Sequence, residues 1–260
     1  MIMMAYFSGT GNTEYVSKLL KEKLESMGKK VEITKITLKN YDYSVDDCEL
    51  FILLYPIHSF DVPWPVYKWL KKTKLNNIKT AILTVSAGAF IPPNSGSRIK
   101  LKRFFKSRNC EVFYEDDIQM PLNCIKPMEE NEIYQILDKL PDKIDEIANN
   151  ILNNVHKNTK PHFKGIMLSK VAIFQNLFAK IFAKGYIVND NCNLCQWCIK
   201  NCPTNNISLK DGKIKFGLNC SLCLKCLYNC PQNAIEQKKY SFMVFKNVYN
   251  LKNYLSEVKK

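Results

Sequence analysis

From the first residue to about position 155, short apolar runs alternate with stretches in which apolar positions recur every three or four residues. Residues 2–7 read as a buried strand, after which Val16, Leu19, Leu20 and Leu24 return at helical spacing. Residues 31–36 alternate as a strand. "LFILLYP" at 50–56 and "TAILTVSAG" at 80–88 are buried strands ending in loops, and "EVFYEDDIQM" at 111–120 predicts the last strand. Helical patterns fall around 63–74 and 95–107, with one long helix over 129–155. This alternation predicts an α/β fold, a doubly wound parallel sheet with helices on both faces. Ligands bind such sheets beyond the carboxyl ends of the strands, at the switch point. The loops 8–13, 55–63 and 86–94 lie there.

The pattern then changes. Residues 156–185 form a connection: "HKNTKPHFKG" is polar and turn-rich, and "IMLSKVAIFQNLFAKIFAK" carries apolar residues on most sides, interrupted by Lys170, Lys180 and Lys184. A helix wedged between two domains is the favoured reading, and a basic amphipathic helix on an acidic membrane surface is the other. The division expected is 1–155, 156–185 as linker, 186–240 as a small second domain, and 241–260 as a docking segment around Phe242, Phe245, Val248 and Tyr249.

The first loop, "FSGTGNTEYV" at 7–16, joins strand to helix. Such a turn points backbone N–H groups at one spot, backed by the positive end of the helix dipole. It lacks the lysine of the nucleotide-hydrolase loop and the third glycine of GxGxxG, since only Gly9 and Gly11 are present. What remains is rich in hydroxyls (Ser8, Thr10, Thr13) and suits one terminal phosphate. An ordinary strand–helix turn with Thr13 as N-cap fits the spacing equally well.

Eight of the eleven cysteines fall in two runs of identical pattern, "CNLCQWCIKNCP" at 192–203 and "CSLCLKCLYNCP" at 220–231. The register extends outward, since Asn191 pairs with Asn219, Pro203 with Pro231 and Ile207 with Ile235, so the segment is an internal duplication. Disulfides would need an oxidising compartment, and no charged n-region of an export signal opens the chain. Structural zinc takes four ligands and has no use for the third cysteine of each tight run. The pattern C-x2-C-x2-C-x3-C-P is that of cubane iron–sulfur sites. Cys48, Cys110 and Cys124 stand apart; Cys124, with no basic neighbour, reads as a packing residue.

Charge adds less. The formal balance is +14, with lysines spread along the chain and no Arg-rich or aromatic-interleaved block, so nucleic-acid binding is not expected. No apolar run is long enough to span a bilayer, and the expected location is cytoplasmic.

Residues 186–240 resemble the 2[4Fe-4S] ferredoxins, a small α+β two-cluster domain. That resemblance implies one cluster on Cys192, Cys195, Cys198 and Cys230, and another on Cys220, Cys223, Cys226 and Cys202. "SGTGNT" resembles the phosphate loop of flavodoxins, which implies a flavodoxin-like sheet holding FMN through Ser8, Gly9, Thr10, Gly11, Asn12 and Thr13. Tyr55, Pro56, Ile57, His58, Ser59 and Phe60, with Trp64, are candidates for the flavin wall, and Ser86, Ala87, Gly88 and Asn94 for its edge. The whole layout is similar to flavodoxin–ferredoxin fusion proteins of anaerobic bacteria and archaea. The sequence departs from that family in having His58 where a tyrosine is usual. "MPLN" at 120–123 also recurs there, and Asn123 reads equally as a turn residue. The implied function is electron transfer between two [4Fe-4S] clusters and FMN, and the positive balance of the chain, unlike the acidic ferredoxins it resembles, points to an acidic redox partner such as a ferredoxin or flavodoxin. The alternative is a flavin-dependent reductase of a small substrate, with His58 or Tyr55 as proton donor; a redox sensor is weaker, since no effector element is visible.

Overall fold

A computed structural model describes residues 1–39, 48–88, 91–245 and 249–258, without the side chains of Ile173, Asn176 and Val258. Val248, singled out above, and positions 89 and 90 of the third loop lie outside the described residues.

Five parallel strands form the N-terminal sheet: β1 (Ile2–Tyr6), β2 (Val31–Lys35), β3 (Leu50–Pro56), β4 (Lys79–Ser86) and β5 (Glu111–Gln119). Their spatial order is β2-β1-β3-β4-β5, so the order in which strands are added to the sheet reverses at β1/β3. Side chains two apart share a face. Ile2, Met4, Ile52, Leu54, Ala81 and Leu83 therefore face α1 (Asn12–Ser26), α4 (Glu130–Asp138) and α5 (Leu140–Leu152). Met3, Ala5, Phe51, Leu53, Tyr55 and Ile82 face α2 (Trp64–Lys72) and α3 (Ile99–Lys106). The single helix expected over 129–155 is two, because Pro141 enters the first turn of α5. Proline has no N–H to donate and clashes with the preceding turn, which breaks the helix beside Lys139.

The linker forms α6 (Phe163–Val171), a 3-10 turn (Ala172–Phe174) and α7 (Gln175–Ala183). Beyond it lie β6 (Tyr186–Val188), α8 (Trp197–Asn201), β7 (Ile207–Lys210), β8 (Lys213–Phe216), α9 (Lys225–Tyr228) and β9 (Ile235–Gln237). Strands pair antiparallel, β6 with β9 and β7 with β8, giving a small α+β unit. The duplication is visible in the backbone. Leu194 and Gln196 adopt left-handed φ of 58° and 60°, and Leu222 and Leu224, in the same register of the second run, take 58° and 56°. The N–H of Asn206 donates to the Cys202 Sγ at 3.2 Å, and that of Ala234 to the Cys230 Sγ at 3.3 Å. A last helix, α10 (Leu251–Val258), packs on α4.

The two parts share one core. Phe182, Tyr186, Leu224, Leu227, Tyr228 and Ile235 cluster with the α1/α5 face of the sheet. Leu38 N–H donates to the Pro203 carbonyl at 2.7 Å, and Lys39 Nζ to that of Lys200 at 2.7 Å.

Three successive acids on β5 are neutralised in place: Glu115 by Lys102, Asp116 by Lys143 and Lys157, and Asp117 by the buried Arg98. Burial works to raise the Asp116 carboxyl, but its bonds to Lys143 and Lys157 hold it below the usual carboxylate range. Arg98 also donates to Thr84 Oγ1 at 2.7 Å and to the Asp116 carbonyl at 2.8 Å. Removing one partner of a buried pair strands the other, which costs about 3–5 kcal/mol. Arg98→Ala is therefore expected to lower the urea-unfolding free energy by about that much. An unchanged midpoint would show that the pair does not support the sheet.

Candidate functional site

A cavity of about 570 Å³ opens at the carboxyl ends of β1, β3, β4 and β5, within the roughly 300–1,000 Å³ of small-molecule sites. Three strand-end loops reach it. From the first come Ser8, Gly9, Thr10, Asn12 and Thr13; from the second, Pro56, Ile57, His58, Ser59 and Phe60; from the third, Ser86, Ala87, Gly88 and Asn94.

The first loop is built to present N–H groups. Gly11, at φ 111°, stands at the N-cap of α1, and no side chain caps the helix. The expectation of Thr13 as N-cap is thus corrected, since Thr13 lies inside the first turn and is buried. Gly11 itself does not line the cavity; its N–H donates back to Ser8 Oγ at 3.2 Å and tightens the turn. The loop is braced from outside. Asn123 Nδ2 donates to Thr10 Oγ1 at 2.6 Å, Asn12 Nδ2 to the Pro121 carbonyl at 2.8 Å, and Tyr249 OH to Asn12 Oδ1 at 2.6 Å.

The second loop folds into a two-residue reversal. His58 and Asp61 exchange backbone hydrogen bonds at 3.0 Å, with Ser59 and Phe60 at φ 47° and 63°. A bulky residue such as Phe60 rarely adopts that conformation, and strain of this kind gathers at ligand sites. His58 Nδ1 lies 3.1 Å from the Ser221 carbonyl, so it carries the proton and donates it. Burial pushes the imidazole down to about 4, and the carbonyl offsets this only in part. The ring is neutral at neutral pH.

Tyr55 is a correction. It sits on the opposite face of β3, fully buried among Phe51 and Leu53, with its hydroxyl 3.3 Å from the Ser97 carbonyl. Trp64 also turns away from the cavity, donating Nε1–H to the Cys220 carbonyl at 3.1 Å. In the third loop, Asn94 Nδ2 donates to Ser86 Oγ at 3.1 Å and to the Gly88 carbonyl at 2.5 Å, which fixes the turn.

The remaining wall comes from elements distant in sequence. Phe178 and Phe182 of α7, Leu122 to Ile125, Met243, and Leu222, Cys223 and Leu224 of the second cysteine run all line the cavity. Gln175 of α7 donates to the His58 carbonyl at 2.6 Å and accepts from Trp64 N–H at 3.1 Å. A Cβ at Gly9 would overlap the Cys223 carbonyl, so the two loops touch backbone to backbone.

The cysteines gather in two groups. Cys192, Cys195, Cys198 and Cys230 line one small hollow, with Cys230 arriving from the other run. Cys202 lies close enough to Cys220, Cys223 and Cys226 for their thiolates to repel. Burial first, and those neighbours next, push the Cys220 thiol up to about 12 and hold Cys226 well above the ordinary thiol range. Among the described residues, no three His, Cys, Asp or Glu side chains converge closely enough to hold one metal ion. A cubane would spread four cysteines over four irons, and the N–H groups of Asn206 and Ala234 already donate to the Cys202 and Cys230 sulfurs. The donor set fits a cluster.

Residues 3–114 match the family model described as Flavodoxin domain. The N-terminal sheet is a flavodoxin-like domain. Its strand order is the one that places a ligand at the β1/β3 switch point. Among solved structures, a flavodoxin of Streptococcus pneumoniae TIGR4 is 16% identical, with 56% of this chain and 98% of that one covered and a TM-score of 0.37. Oxidised flavodoxin 2 of Bacillus cereus is 17% identical, with 57% and 98% covered and a TM-score of 0.41. The rubredoxin oxygen:oxidoreductase of Desulfovibrio gigas is 13% identical, with 59% of this chain but 36% of the enzyme covered and a TM-score of 0.42. No curated protein matches the chain.

If the first loop takes a phosphate, Thr13→Glu should weaken FMN at least tenfold more than riboflavin, which has no phosphate for the carboxylate to repel. Flavin fluorescence titration measures both. Equal weakening would move the phosphate elsewhere.

Proposed function

We propose that this chain is an electron-transfer iron–sulfur flavoprotein, holding FMN in the 570 Å³ cavity and one [4Fe-4S] cluster on each cysteine group. One observation carries the reading: the Cys223 backbone packs on Gly9, and Cys223 lines the same cavity as the anion loop. Ser8 to Thr13 would take the phosphate, and the loops at 56–60 and 86–94 the ring. When bound, FMN exchanges one or two electrons and each cubane one.

The chain's own residues hold and shield this arrangement. Phe178, Phe182, Leu222 and Leu224 exclude water from the cavity. Gln175 locks α7 to the His58 turn. The two runs face different surroundings: Cys195 and Leu194 are exposed, whereas Cys223 and Leu224 turn inward to the flavin cavity. This supports an order in which the 192–198 run meets partners and the 220–226 run serves the flavin.

Neither proton donor named for the reductase reading is free to act. Tyr55 is in the core, and His58 is neutral with its Nδ1–H committed to Ser221. The partner follows from charge. Residues 186–240 hold seven lysines against three acids, a balance that two oxidised clusters with their thiolates would bring to about neutral, while the chain of +14 would keep roughly +8 with FMN bound, which suits an acidic redox protein.

Anaerobically purified protein should contain about eight irons, eight sulfides and one flavin per chain. Stoichiometric zinc without acid-labile sulfide would overturn the reading. Cys202→Ala should remove chiefly the cluster held by 220–226, resolved by electron paramagnetic resonance; loss of the other one would reverse the assignment. Stopped-flow electron exchange with an acidic ferredoxin should slow by about tenfold or more between low and high salt, and a rate that is flat or rising would exclude an acidic partner.

A further inference from the structure

The helical connection at 163–183 has two apolar faces, and the fold accounts for one. Its inner face supplies Gln175, Ala179, Phe182 and Ala183, buried against the cavity and the cysteine-bearing unit. Its outer face carries Phe163, Met167, Val171, Phe174, Leu177 and Ile181, three or four residues apart, each between 38% and 69% exposed. A monomer ordinarily leaves single apolar residues exposed, and a continuous run of this kind marks an interaction surface.

Charge selects the occupant. No Asp or Glu occurs from 147 to 189, while lysines stand at 157, 160, 164, 170, 180 and 184. Lys157 is engaged with Asp116, but Lys160, Lys164, Lys170, Lys180 and Lys184 are exposed beside the apolar run. A second copy would bring the same lysines against these and repel. An anionic lipid surface satisfies both features at once, because the apolar side chains enter the acyl boundary while lysine stems reach up to the headgroups. Among the described residues no helix is long and apolar enough to cross a membrane, so the contact lies in the plane of the interface.

We infer that the outer face of the 163–183 segment is a docking surface for anionic lipid, holding the protein on a membrane without spanning it. The inference does not rest on the cofactors. Vesicle co-sedimentation of the full chain tests it, using phosphatidylcholine alone and phosphatidylcholine with about a third phosphatidylglycerol. Wild type should bind the anionic vesicles at least tenfold better, and less as salt is added. Phe174→Ser with Leu177→Ser should abolish binding while leaving the unfolding midpoint and cofactor content unchanged. Each Lys→Gln at 164, 170, 180 or 184 should lower the partition roughly fivefold at low salt. Equal partition to both vesicles, or wild-type binding by the Phe174/Leu177 variant, would overturn the inference. So would a dimer in sedimentation equilibrium that this variant dissociates, since the face would then belong to a second copy.

Discussion

The structure turns on a contact between two backbones. Gly9 meets the Cys223 carbonyl with no room for a β-carbon. Neighbouring carbonyls of the same run are held from the flavodoxin-like side, Cys220 by the Trp64 indole and Ser221 by the His58 imidazole. Carbonyls removed from water need partners, and here the partners belong to the other half of the chain. The cysteine-bearing unit is therefore docked by directional bonds as well as apolar burial, and its second run closes the cavity that the strand ends leave open. Phe182 stacks on Tyr240 and sits edge-on to Tyr186, carrying the same core outward from α7.

What the sequence revealed depended on how locally each feature is determined. The spacing within each cysteine run is a local feature, so the two groups could be expected from the resemblance, and the structure places Cys230 beside Cys192, Cys195 and Cys198 and Cys202 near Cys220. The glycine-bearing loop was equally plain. Tyr55 was misplaced by one step of parity: it shares the Phe51 and Leu53 face of β3, and the chain turns toward the cavity only from Pro56. Counting alternation to the strand's end would have put it in the core. Phe178, Phe182, Leu222 and Met243 were not legible as cavity wall, because they reach it only through the docking of the second unit. Asn123 lay between; its bond to Thr10 gives it a bracing role that turn propensity alone does not supply.

The helical connection shows why composition alone left two readings open. A wedge and a surface-seeking helix both demand apolar residues, and residues 163–183 have enough for both faces. The 3-10 turn at Ala172–Phe174 lies between α6, which packs on the Pro92–Gly96 turn through Gly165, and α7, which packs on the cavity. The two helices thus bury one side against different parts of the protein, and the lysines stay exposed.

Duplication produces two runs of one design, yet their surroundings make them unlike. Both share the left-handed residues and the N–H to sulfur bonds that shape the loop. What differs lies outside the motif. Ser221, Leu222 and Leu224 of the second run meet His58 and the cavity, whereas Asn193 and Gln196 of the first line its own hollow and Leu194 is exposed. On the proposed reading, one centre would be shielded beside its acceptor and another would lie within reach of solvent, because transfer inside the protein and exchange with a partner make opposite demands on burial. A duplicated loop meets both demands when only one copy is covered. Gly9 permits that covering, and a larger residue there would hold the second run off the sheet and expose both copies alike.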